Sequence, residues 1–285
     1  MLPFVPDFRA RLLALRSGSR GRSRAEDGRP GYREGRAAFK DHRAYSAGDD
    51  VRFLDWNVFL RTGELAVKTF SDDAAPEARV ILDRSASAGP EGSTQDRTAR
   101  ELAAAAGFPA LVAGGTARLF ALGPDGLRPV VVAVGRKDAE RWLQAVEGLG
   151  APAGAADWRA IESSPPPRTP GLRAVFVSDF LAESVPLRAL AVHATAARPF
   201  AFIVAAHRER PAAEGRRVVT MADPETGARL ETAEDSRWRE AYAEARAAHV
   251  AAMLDACRRR GIAAVAASGR EPFETLLAEV RATAP

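Results

Sequence analysis

The chain has 285 residues, with 41 Lys and Arg against 37 Asp and Glu, one cysteine and 46% hydrophobic residues. A chain this long buries about 75% of its unfolded surface, so a core forms without disulfide or metal staples, and Cys257 alone excludes an internal disulfide framework. No run of about 18 apolar residues occurs, and no basic segment precedes a continuous apolar one at the start; the expectation is a cytoplasmic protein without a membrane span or secretory signal.

Residues 1–76 form the first predicted region, charge-dense and punctuated by glycine. Between Arg9 and Arg43 there are eleven basic residues and four acidic ones. Only three of the 41 cationic residues are Lys, so this bias also follows from an Arg- and Ala-rich composition and argues weakly for nucleic acid. Within it, Phe8, Leu12, Leu13 and Leu15 read as an amphipathic helix that docks on a core rather than on a membrane surface. From 77 to 285 the texture changes to apolar strands alternating with helical patterns, which predicts βαβ units over a mainly parallel sheet with helices on both faces.

The predicted elements of this second region follow in order. "ARVILD" (78–83) is a buried strand, and Ser93 or Thr94 opens a helix running to about Gly107. "TARLFALG" and "RPVVVAV" flank the turn signal "GPDG" and form a hairpin. "KDAERWLQAVEGLG" is a helix stopped by glycine, "GLRAVFVSDF" a buried strand, "LAESVPLRALAVHA" a helix and "RPFAFIVAA" a strand. Two short strands surround a turn at Pro224 to Gly227. A long helix then starts near Asp235, carries Trp238, Tyr242, Ala245, His249, Met253 and Ala256 at helical spacing, and stops at Gly261. "GIAAVAAS" and "EPFETLLAEVRA" close the chain as strand and helix.

In an open parallel sheet, ligands bind beyond the carboxyl ends of the strands. Two polar clusters fall there. Asp83, Ser85 and Ser87, at alternate positions after the first buried strand, direct one carboxylate and two hydroxyls to one side; Ser178 and Asp179 end "AVFVSD". Hard oxygen donors of this kind suit Mg²⁺ or Mn²⁺. The plainer reading is that these residues cap a loop and the helix after it.

The segment "GYREGRAAFKDHRAYSAGDDVRFLDWNVFLRTGELAVKTF" (31–70), followed by "VILDRSAS" and "VFVSDF", resembles the bacterial "domain of unknown function 58" family. Its signature falls on Arg43, Tyr45, Gly48, Asp49, Asp50, Arg52, Asp55, Trp56, Arg61, Val67, Lys68 and Phe70, and "DPETGARLE" near the C-terminus is also similar to a family element. The resemblance implies a von Willebrand factor A-like domain preceded by an N-terminal segment packed on it. It further implies a metal-ion-dependent adhesion site in which Asp83, Ser85, Ser87 and Asp179 hold one divalent cation. The Thr expected from a further loop is replaced by Ala155 or Ala156 in "APAGAADW", so water takes its place and affinity falls; Ala88 stands where relatives carry Met. Asp49, Asp50 and Asp55 interleaved with Arg43, Arg52 and Arg61 read as a network of bidentate ion pairs over Phe53 and Trp56, a structural clamp.

Enzyme signatures are absent. No G-x-S-x-G elbow surrounds Ser85 or Ser87, "GPEGST" lacks the Walker lysine, and an aspartyl-phosphate chemistry wants a second Asp at position 85. His42, His193, His207 and His249 have no paired ligand spacing, and Cys257 reads as a small buried hydrophobe. The expectation is therefore a non-enzymatic interaction or adaptor protein. By resemblance, its partner is a MoxR-type AAA+ ATPase, in chaperone-like assembly or activation of other proteins. The alternative is nucleic-acid binding by the basic stretch, against which stands the lack of any base-reading fold signature.

Overall fold

The computed structural model describes residues 4, 6–14, 38–44, 58, 62–71, 75–164, 172–181, 186–194, 198–204, 217–269 and 273–276. The chain divides into two compact units, one of residues 21–75 and one of residues 1–20 together with 76–285. This differs from a single boundary after residue 76, and the reason lies in the first helix, α1 (Phe8–Ala14). Phe8 and Leu12 are fully buried in the core of the larger unit, with the Phe8 ring 4.8 Å from that of Phe273. Arg9 Nη1 donates to Glu140 Oε1 at 2.8 Å and its Nε to Glu147 Oε1 at 2.9 Å; Arg11 Nε donates to Glu274 Oε1 at 2.8 Å.

In the unit of residues 21–75, β1 (Ala38–Ala44) and β2 (Ala66–Ser71) pair antiparallel, with Arg43 opposite Val67 and His42 opposite Lys68. Tyr45, Gly48, Asp49, Asp50, Arg52, Asp55, Trp56 and Arg61 lie outside the described residues, as do the side chains of Arg43 and Lys68.

The larger unit holds a six-stranded sheet of β3 (Glu77–Asp83), β4 (Thr116–Gly123), β5 (Gly126–Val134), β6 (Leu172–Ser178), β7 (Arg198–Val204) and β10 (Ala263–Ala267), while β8 (Arg217–Ala222) and β9 (Arg229–Glu234) make a separate hairpin. The order is β10-β7-β6-β3-β4-β5, all neighbours parallel except the edge hairpin β4–β5. Strand β3 is buried along its length after Glu77, as a central parallel strand covered on both faces must be. Val80 and Leu82 face one apolar cluster, which takes in α1, α2 (Thr94–Val112) and α3 (Ala139–Glu147). Ile81 faces the other, built on α4 (Arg159–Glu162), α5 (Pro186–Ala194) and α6 (Ser236–Arg258). The α/β architecture with a mainly parallel sheet between helices is thus realised.

Helix α2 does not stop at Gly107. A Cβ there would sit 2.2 Å from the Trp142 ring, so glycine serves the close approach of α3, whose Trp142 Nε1 donates to Ala104 O at 3.0 Å. The helix continues through Pro109 to Val112. Asp235 caps α6 by accepting from Trp238 N at 2.8 Å, as expected, yet only Met253, Ala256 and Cys257 of that helix are buried. Its first half presents a Trp238–Tyr242 stack, centroids 5.3 Å apart.

Candidate functional site

The sheet reverses its winding between β3 and β6, whose C-terminal ends lie side by side. Asp83 ends the first and Ser178 and Asp179 end the second, so the two clusters read from the sequence meet at one place. Asp83 is buried; its Oδ1 accepts the Ser85 N–H at 2.8 Å and its Oδ2 the Ser178 hydroxyl at 2.6 Å. Ser85 Oγ lies 3.1 Å from Ser87 Oγ, and Ser87 hydrogen-bonds Asp179. From the first turn of α2, Gln95 Nε2 donates to Ser87 O at 2.9 Å and to Asp179 Oδ2 at 3.2 Å. All four residues expected to hold a cation are therefore linked in one chain of oxygens.

Local backbone geometry holds Asp179 in place. Phe180 adopts φ 55°, a left-handed conformation that costs a non-glycine residue energy. That turn lets the Phe180 N–H reach Ser178 Oγ at 2.8 Å and the Leu181 N–H reach Asp179 Oδ1 at 3.2 Å. The buried Phe180 ring in turn packs 5.5 Å from Trp158, which anchors it to the loop preceding α4. Behind the loop, His249 Nε2 lies 3.0 Å from Asp179 O, a carbonyl that can only accept, so Nε2 carries the proton.

The electrostatics fit a cation. Burial, and then the Asp83 charge, push Asp179 up to about 7, and burial raises Asp83 as well. Among the described residues neither carboxylate has a Lys or Arg ion pair. Glu225 adds negative potential at both. It sits in the β8–β9 turn, where Asp223 Oδ1 accepts the Glu225 N–H at 2.9 Å and Gly227 has φ +73°. Arg84 and Arg246 act on Asp83 and Asp179 through their charges, without an ion pair to either among the described residues; the two carboxylates and the hydroxyls form an all-oxygen donor set of the kind Mg²⁺ and Mn²⁺ take.

The loop expected to supply a Thr does lie against this site: Ala86 N donates to Gly154 O at 2.8 Å and Ala153 N to Arg84 O at 3.0 Å. It carries Ala155, exposed, and Ala156, half-buried against the Trp158 cluster, so no hydroxyl comes from either.

One buried network was not legible in the sequence. Asp96, on the first turn of α2, accepts from Arg84 Nη1 and from Arg100 Nε at 3.0 Å. Arg100 also donates to Val146 O at 2.9 Å, Glu147 O at 3.0 Å and Leu149 O at 2.9 Å, closing the C-terminus of α3. The i, i+4 spacing of Asp96 and Arg100 was a signal for it, but nothing local marks Arg84 as their partner, nor Gln95, Glu225 and His249 as neighbours of the site.

Of the other singled-out residues, Cys257 is fully buried, its thiol pushed up to about 11 by desolvation. His193 is buried against Phe176, and His42 and His207 offer no described side chain. Among the described residues no helix is long and apolar enough to cross a membrane, and no three His, Cys, Asp or Glu side chains cluster as ligands.

The chain is similar to uncharacterized proteins of Mycobacterium tuberculosis and Mycobacterium bovis, each 32% identical over 215 residues that cover 73% of this chain and 67% of the relative. A solved structure, that of a conserved hypothetical protein BatB from Bacteroides thetaiotaomicron, aligns with a TM-score of 0.44 at 14% identity, over 73% of this chain and 98% of that one. The profile described as "Protein of unknown function DUF58" matches residues 41–252. With that match spanning most of its length, the chain belongs to the DUF58 family.

Proposed function

We propose that this protein is a non-enzymatic, cytoplasmic interaction protein whose larger unit is von Willebrand factor A-like and engages a partner through a divalent cation. The observation that carries the reading is the convergence of Asp83, Ser85, Ser87 and Asp179 at the reversal point of the sheet. The strand order and the helices on both faces support the von Willebrand comparison. When bound, Mg²⁺ or Mn²⁺ would supply an open coordination position for a partner carboxylate. The residues of this chain do the rest: Ser178 and the Ser85 N–H orient Asp83, while Gln95 and the Leu181 N–H orient Asp179. Family resemblance points to a MoxR-type AAA+ ATPase as that partner.

The experiment is a tagged purification from the native host, from nuclease-treated lysate, with Mg²⁺ or with EDTA. The expected result is an AAA+ ATPase retained in Mg²⁺ and lost in EDTA and with Asp83→Ala. Retention under all three conditions would remove the cation from the reading. The alternative, nucleic-acid binding by the basic stretch from Arg9 to Arg43, would be marked in the same protein by an affinity that falls steeply with salt.

A further inference from the structure

The four residues of the cation site bring carboxylates and hydroxyls, and the neighbouring loop adds no hydroxyl at Ala155 or Ala156. Mg²⁺ takes about six oxygens in near-octahedral geometry, so further donors come from water, from a partner or from this chain. Gln95 is placed to give one. It stands in the first turn of α2, where the cap residue Ser93 accepts the Asp96 N–H at 3.1 Å. A helical Cβ leans toward the N-terminus of its helix, and Gln95 reaches back from there to the ends of β3 and β6. Gly89 leaves it room: a Cβ at that position would lie 3.0 Å from Gln95 Oε1 and 3.1 Å from its Cβ.

Both contacts of the Gln95 amide are with oxygens that only accept, Ser87 O at 2.9 Å and Asp179 Oδ2 at 3.2 Å. They set Nε2 toward the site and Oε1 away from it, and among the described residues Oε1 accepts no hydrogen bond. The side chain is half-buried, and Oε1 is open to solvent. A half-turn of the planar amide exchanges the two atoms in place. With Oε1 inward, three oxygens face one another, which is repulsive in the cation-free chain and favourable with a positive charge among them. An amide carbonyl belongs to the hard oxygen donors that Mg²⁺ and Mn²⁺ accept.

We propose that Gln95 is a further, conditional ligand of the cation: Nε2 holds Asp179 and Ser87 in the cation-free chain, and Oε1 coordinates when Mg²⁺ or Mn²⁺ binds. The Leu181 N–H then keeps Asp179 in place. The inference rests on the cation reading of the site and assigns it a donor outside the four residues.

The test is calorimetric titration of the full chain, stripped with EDTA and dialysed, with MgCl₂ and with MnCl₂, in the parent, Gln95→Leu, Gln95→Glu and Asp83→Ala. Gln95→Leu is expected to bind roughly ten-fold more weakly, and Gln95→Glu at least as tightly as the parent, because a carboxylate coordinates but donates nothing. In the parent, the Gln95 Nε2 protons should exchange with solvent faster at saturating Mg²⁺ than in EDTA, since both acceptors are given up. Thermal melts verify that the variants are folded, and the exchange measurement needs no variant. Gln95→Leu equal to the parent, Gln95→Glu as weak as Gln95→Leu, or exchange unchanged or slowed by Mg²⁺ would each overturn the proposal and leave the cation site standing. Absence of saturable Mg²⁺ or Mn²⁺ binding in the parent, or equal binding in Asp83→Ala, would overturn the cation reading itself and this proposal with it.

Discussion

Ser178 Oγ donates to Asp83 Oδ2 at 2.6 Å while accepting the Phe180 N–H at 2.8 Å, so one hydroxyl ties together the ends of the two strands between which the sheet reverses. Ser178→Ala leaves a buried carboxylate oxygen and a buried N–H unpaired. The expected loss is about 1–3 kcal/mol of stability, read by urea unfolding, together with weaker Mg²⁺ binding by calorimetry. Stability within error of the parent would mean that water reaches both groups.

Arg100 is 1% exposed and serves three carbonyls beyond Asp96. In Arg100→Met the apolar stem keeps its packing but Asp96 loses one of its two cations and the end of α3 its donors. A loss of roughly 3–5 kcal/mol is expected, as for a buried ion pair broken on one side. A change below about 1 kcal/mol would assign the closing of α3 to other donors.

His193 gives the pH dependence. Burial first, and the Arg79 charge second, lower it to about 4. Between its unfolded value of 6.5 and that folded value, the unfolded chain binds a proton that the native chain does not, so stability falls as pH falls. The slope from this group is about 1.4 kcal/mol per pH unit. His193→Leu should flatten the stability profile over that window relative to the parent, in urea titrations at several pH values; an identical profile would assign the acid sensitivity elsewhere.

The loop beside the D-x-S-x-S segment offers a gain-of-function test. Ala155 is exposed, whereas Ala156 packs into the cluster of Trp158. Ala155→Thr should therefore tighten Mg²⁺ binding without loss of melting temperature, while Ala156→Thr places a hydroxyl against apolar side chains and lowers stability. Calorimetry on both variants decides; equal, unimproved affinity would show that this loop does not face the ion.

Much of the larger unit was legible because its strands are buried on both faces and read as unbroken apolar runs, "ARVILD" and "AVFVSD" above all. Asp83, Ser85, Ser87 and Asp179 were found by the rule that ligands gather at strand ends, and the structure joins them. Gly107 misled because glycine has two uses: the sequence pattern treats it as a stop, while here it makes room for Trp142. The docking of Phe8 and Leu12 on a core was legible, but residues 1–20 were grouped with the segment up to 76, since their partners, such as Phe273, lie at the far end of the chain. Arg84 and Gln95 were missed for a related reason: their roles rest on partners that only tertiary folding brings near.

The pairing of β3 with β6 has a consequence for the order in which the site comes into being. Ser178 and Asp83 are 95 residues apart in sequence, and the intervening chain includes β4, β5 and the helices α2 and α3, which can form from nearer contacts. Closing so large a loop is slow relative to local structure. A nascent chain that has emerged only through α4 carries the D-x-S-x-S loop with no Asp179 beside it, so the four-residue cluster is complete only after synthesis has passed β6.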